Sequence, residues 1–96
     1  MPESVARVVT NRPERYVKQL VDHLGNRRTT GLSDDGIGFI VFEDGRCVLQ
    51  PGDGVLVLTA SADDIAGLDH VRDVVARHLT RFGSRDGLTV TWSDPS

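Results

Sequence analysis

Three turn signals follow one another closely in the middle of the chain: Ser33-Asp34-Asp35-Gly36, Glu43-Asp44-Gly45 and Pro51-Gly52-Asp53-Gly54. Glycine tolerates the positive φ that tight reversals need, while Asp, Ser and Pro favour turns through local hydrogen bonds or a preset φ. The runs between these turns, Ile37 to Phe42, Arg46 to Gln50 and Val55 to Ala60, are rich in β-branched and apolar residues. Such runs, punctuated every eight to ten residues, predict an antiparallel meander. Arg27 to Leu32 is a weaker strand candidate ahead of the first turn.

Outside the meander the period changes. Ser4 to Thr10 is short and β-branched and reads as a strand, and Asn11-Arg12-Pro13 then offers a helix start with Asn11 as the expected cap. Tyr16, Val17, Leu20, Val21 and Leu24 recur at helical spacing, and Gly25 stands where a left-handed cap is usual. In the last third Ser61 is the expected cap, with Asp63 and Asp64 in the first turn, where the helix dipole favours negative charge. Ile65, Leu68, Val71, Val75, Leu79 and Phe82 form one stripe that Gly83 ends. Leu88, Val90 and Trp92 then alternate with Thr89, Thr91 and Ser93, the pattern of a half-buried strand.

The order β-α-β-β-β-β-α-β predicts an α+β fold, with one mostly antiparallel sheet and two helices packed on one face. At 96 residues the chain is expected to form a single domain, residues 1–96, able to bury roughly 65% of its unfolded surface. The helix stripes and the Leu88, Val90 and Trp92 face would make the core. With four strands between them, the helices should run antiparallel, and His23 and His78 should fall at opposite ends. Without the 27–32 strand the helices would be parallel and the two histidines could approach.

Two of the strands do not alternate. Phe39 and Val41 oppose Ile40 and Phe42, and Val55 and Val57 oppose Leu56 and Leu58. An antiparallel sheet with one wet face should alternate apolar and polar residues. The expectation is an interface through Phe39, Val41, Val55 and Val57, with a second copy or another domain. The competing reading is that sheet twist and a long loop bury the excess locally.

Eleven basic and fourteen acidic side chains give a net charge of −3, which argues against nucleic acid as the main partner. No stretch approaches the length of a membrane span, and the N-terminus lacks the pattern of a signal peptide. A single cysteine, Cys47, excludes an internal disulfide and points to a reducing compartment, so a cytoplasmic location is expected. Cys47 reads as a small buried hydrophobe. Dinucleotide, phosphate-loop, metalloprotease and nucleophile-elbow motifs are all missing, so no catalytic residue, cofactor or metal is assigned. The densest polar feature is His78 to Asp86. There His78, Arg81 and Arg85, joined by His23, are the candidate ligand-binding residues for a carboxylate or phosphate. The competing reading is a set of cations compensating a helix dipole. His70 reads as solvated.

The segments ARVVTNRPERYVKQLVDHLG, GIGFIVFEDGRCVLQPGDGVLVLTASA and VVARHLTRFGSRDGLTVTW together resemble a bacterial family of small domains, domain-of-unknown-function family 2218. The most distinctive piece is His78, Leu79, Arg81 and Phe82 followed by Arg85, Leu88, Val90 and Trp92. Arg27 to Leu32 is less β-branched than that resemblance leads one to expect. Similar domains stand alone or are appended to siderophore-interacting ferric reductases. The resemblance implies an accessory role in iron acquisition, through association with a reductase, a siderophore or haem. Together with the doubly apolar strands it gives the expectation of a non-enzymatic, homodimeric or reductase-bound interaction module, the alternative being a small-molecule binder or enzyme using the His78, Arg81 and Arg85 cluster. It carries no agreed catalytic residues onto this sequence.

Overall fold

The chain follows β1 (Glu3–Val9), α1 (Pro13–Leu24), β2 (Thr29–Leu32), β3 (Gly38–Phe42), β4 (Gly45–Gly52), β5 (Val55–Ala62), α2 (Ile65–Phe82) and a 3-10 turn, η1 (Ser84–Asp86), in a computed structural model that describes residues 2–96. The turns act as their chemistry requires. Gly36 and Gly54 have φ of 82° and 70°, values that side chains with a Cβ rarely adopt. The meander β2–β5 forms, and β1 pairs with β5, giving one antiparallel sheet of order β1-β5-β4-β3-β2. The α+β architecture with both helices on one face is the one that the periodicities imply.

Register divides the strands into two faces. Ala6, Val8, Ile40, Phe42, Cys47, Leu49, Leu56, Leu58 and Ala60 point to the helices and are buried. The α1 stripe of Tyr16, Val17, Leu20, Val21 and Leu24 and the α2 stripe of Leu68, Val71, Val75 and Leu79 complete the core. Val74 joins them, whereas Ile65, at the first turn of α2, is 51% exposed.

Several local expectations are corrected. Arg12, not Asn11, caps α1, and its side chain makes no capping bond; the Thr10 hydroxyl accepts from the Arg12 N–H at 3.1 Å instead. Gly25 is right-handed at φ −66°, and the left-handed residue of the C-terminal region is Gly87 at φ 64°. β5 runs on through Ser61 and Ala62, so the cap of α2 is Asp64, whose carboxylate accepts from the Gly67 N–H at 2.7 Å. The weak 27–32 candidate is a strand, but only over Thr29–Leu32.

The last expected strand is the largest difference. Leu88 to Trp92 forms no strand and makes a single bridge, Ala6 to Trp92, against β1. Hydrogen bonds farther on, Ser93 N–H to Val5 O at 2.8 Å and Glu3 N–H to Ser96 O at 3.1 Å, tie the segment to the β1 edge. Leu88, Val90 and Trp92 are only partly buried, packing on the rim of the core that they were expected to help form.

Candidate functional site

β1 and β2 run in the same direction at opposite edges of the sheet, and α1 returns the chain between them. β5 runs opposite to β1, so α2 runs opposite to α1, as strand parity demands. The consequence drawn for the histidines nevertheless fails. α1 has 12 residues and α2 has 18, and the shorter helix lies beside the C-terminal part of the longer one. Tyr16 near the start of α1 bonds through its hydroxyl to Asp86 beyond the end of α2. Seven residues on, His23 meets His78, with ring centres 5.2 Å apart and planes inclined at 50°. Phe82 packs edge-on to His23 at 5.3 Å, closing a three-ring cluster.

The tautomer of His78 follows from its partner. Its Nδ1 lies 2.7 Å from the carbonyl oxygen of Val74, one turn back, and a carbonyl only accepts. Nδ1 therefore carries the hydrogen, and Nε2 is left as an available lone pair in the neutral ring. Arg77, His78, Thr80 and Arg81 line a shallow depression of about 400 Å³ beside this cluster. Arg77 is paired with Asp73 at 3.0 Å, so Arg81 is the cation of the depression without a carboxylate partner among the described residues. Of the four candidate residues, His23 and His78 meet and Arg81 lines the neighbouring surface. Arg85 sits exposed in η1 and is not part of that lining.

A second polar group lies at the other end of α2. His70 is not simply solvated. Its Nδ1 faces both oxygens of Asp44 at 3.1 and 3.2 Å, and its ring packs edge-on to Phe42. On the same Phe42 ring rests the Arg28 guanidinium, 5.0 Å from the centre. These side chains and Arg27, Thr29, Val41 and Glu43 line a groove of about 710 Å³. Sequence gave no sign of it, since Asp44 and His70 are 26 positions apart and meet only when the β3–β4 turn rests on α2.

The sheet face opposite the helices has no covering element among the described residues. Phe39 and Val41 are 41% and 42% exposed, and the face also carries half-buried Val5, Val48, Val55 and Val57. Arg7 and Arg46 stand among them, exposed and without ion pairs among the described residues. Cys47 points the other way, fully buried, and burial pushes its thiol pKa up to about 12. It is inert packing, as expected of a small hydrophobe. Among the described residues no three His, Cys, Asp or Glu side chains converge as metal ligands, and no helix is long and apolar enough to cross a membrane.

Residues 5–93 match the model of a family described as an uncharacterized protein conserved in bacteria, DUF2218. The chain belongs to that family. Among solved structures, PA4090 from Pseudomonas aeruginosa, determined by NMR, is 31% identical to this chain. The two superpose with a TM-score of 0.81 over 97% of this chain and 96% of the other. No curated protein matches the chain. The resemblance carried by the His78–Phe82 and Arg85–Trp92 segments thus extends over almost the whole domain.

Proposed function

We propose that this DUF2218 domain is a non-enzymatic interaction module that docks a partner polypeptide on its open sheet face. The observation that carries the reading is the exposed pair Phe39 and Val41, continuous with Val48, Val55 and Val57 and covered by nothing in the described chain. Apolar strand faces left in water mark association surfaces. Arg7 and Arg46 within the face favour a partner that brings carboxylates to an apolar patch. The resemblance to domains appended to siderophore-interacting ferric reductases supports such a reductase as that partner and a role in iron acquisition.

The test is titration of a siderophore-interacting ferric reductase into labelled protein, with sedimentation equilibrium of the domain alone. Amide shifts on Phe39, Val41, Val48 and Val57, abolished by Phe39→Asp, are expected. A protein that stays monomeric at high micromolar concentration and shows no shifts on that face overturns the reading.

A second reading is favoured by one observation, the depression lined by His78 and Arg81 beside His23. It takes the domain as a binder of a small anionic ligand such as a siderophore or haem carboxylate. Arg81→Ala should then weaken ligand binding without moving the melting temperature, because Arg81 is exposed. Amide titration with a ferric siderophore and with haem distinguishes it from the first reading, since the shifts would cluster on α2 instead of the sheet.

A further inference from the structure

We propose that two copies of this domain pair edge to edge through β2, antiparallel and centred on Gly31, joining their two five-stranded sheets into one. The two edges of the sheet are not alike. Residues 93–96 cover the outer edge of β1 with main-chain hydrogen bonds, whereas β2 has no such cover among the described residues. Thr29–Leu32 also lacks the lysine, proline or inward charge that commonly blunts an exposed strand edge.

The ladder shows which groups are free. The Ser33 N–H donates to the Ile37 carbonyl at 2.8 Å, and bonded pairs alternate along an antiparallel pair. Gly31 and Thr29 therefore bond to Phe39 and Val41 of β3, while Thr30 and Leu32 turn their N–H and C=O groups outward. No main-chain bond from elsewhere among the described residues reaches these outward groups. A two-fold axis at Gly31 sets Thr30 opposite the partner's Leu32, and Leu32 opposite the partner's Thr30. Each pair exchanges both of its N–H and C=O groups, so every outward group of the strand is satisfied.

The side chains fit the same axis. The Phe39 ring fills the space where a Cβ on Gly31 would stand, so it leans over β2 towards the edge. Across the axis the two Gly31 Cα atoms form a non-hydrogen-bonded pair about 4.5 Å apart. The two rings lying over them then meet within the ~4.5–7 Å range of aromatic pairs. Leu32, 49% exposed in the single chain, comes beside the partner's Thr30 on the helix side.

Charge selects a second copy as the occupant. Continued outward, the same register stands Asp34 and Asp35 opposite the partner's Arg28 and the partner's Arg27. None of these residues has an ion pair within its own chain among the described residues. The axis repeats the match at the other end, so an acidic turn faces a basic loop twice. Opposite charges across a strand pair favour the pairing. The open face is left free and is doubled in area, so the edge dimer does not rest on the docking reading.

The experiment is sedimentation equilibrium together with amide hydrogen exchange at rising protein concentration. A monomer–dimer equilibrium is expected, with the Thr30 and Leu32 amides slowing as dimer accumulates, far more than those of Thr29 and Gly31. Arg27→Asp and Asp35→Arg, both at exposed positions, should each weaken dimerisation about tenfold by setting like charges across the axis. Their equimolar mixture should restore it as a heterodimer, because the opposite charges then face each other again. A protein monomeric at every concentration, or a mixture no tighter than its components, would overturn the proposal. So would association that shifts Val48 and Val57 while Thr30 and Leu32 exchange as in the monomer, an outcome that belongs to the sheet face. The two readings therefore fail separately.

Discussion

At the scale of single residues, one glycine shows that space outweighs propensity. Gly67 lies in the first turns of α2, where Ala would ordinarily add up to about 1 kcal/mol of helix stability. Here a Cβ would sit 2.7 Å from the carbonyl oxygen of Asp44, in the turn that also delivers Asp44 to His70. Gly67→Ala should therefore destabilise the protein in urea unfolding, a reversal of the usual sign, and should loosen the His70–Asp44 pair. Cys47 gives a second residue-scale expectation. Burial pushes its thiol pKa up to about 12, because the thiolate cannot be solvated in the core. The unfolded chain thus loses this proton above about pH 9 while the folded chain keeps it, and stability contributed by the buried thiol falls from pH 9 towards 12. Thermal unfolding in that range should show the loss for wild type and less of it for Cys47→Ala, compared with each protein's own midpoint at pH 7. The native thiol should also resist alkylating reagents until the protein is denatured.

Between elements, the caps and the helix stagger carry the consequences. Among the described residues Asp64 alone caps a main helix with its side chain, and Asp64→Ala should cost about 1 kcal/mol of unfolding free energy. The stagger of α1 against α2 is held at one end by Tyr16, whose hydroxyl donates to the Asp86 carboxylate. That bond, together with burial, pushes the phenol pKa up. Tyr16 is the sole tyrosine, so an ultraviolet titration reads it directly. Asp86→Asn should lower the midpoint towards an ordinary phenol, because it removes the carboxylate that disfavours the phenolate. Tyr16→Phe should cost on the order of 1 kcal/mol. It should also broaden the amide signals of η1, whose Ser84–Asp86 turn loses an anchor.

At the scale of the whole molecule, the C-terminal segment and the open face decide what the domain can meet. Residues 88–96 shield the outer edge of β1 through the Ser93 and Ser96 hydrogen bonds, and the Ser4 hydroxyl donates to the Ser93 carbonyl at 2.8 Å. Unpaired strand edges invite intermolecular pairing. A chain ending at Gly87 should therefore lose stability and self-associate, measurable by light scattering on heating. The open face has the opposite logic, since its apolar side chains are not needed by the core. Phe39→Asp should improve solubility, because the ring is 41% exposed, at the cost of its packing over Gly31 on the neighbouring strand and not of any core contact.

Elements whose cause is local are legible in the chain itself. The turns are legible because Gly36 and Gly54 must take up positive φ, and the helices because Tyr16 to Leu24 and Leu68 to Leu79 repeat at the helical period. Their order then leaves few arrangements besides a meander closed by β1 with helices on one face. The non-alternating strands also mark the sheet face on which Phe39 and Val41 are exposed. What the pattern could not hold is longitudinal offset. Parity gives α1 and α2 opposite directions, but where one lies along the other depends on loop lengths and side-chain interlocking across the sheet. His23 and His78 therefore meet against expectation. The same limit applies to Leu88–Trp92, whose alternation promised a strand. A strand exists only where a neighbouring backbone supplies a continuous ladder, and β1 offers this segment one bridge and a few bonds at its edge. Asp44 and His70 likewise meet only because a glycine on α2 lets a turn approach. Local chemistry determined the pieces, and packing alone decided which side chains share a site.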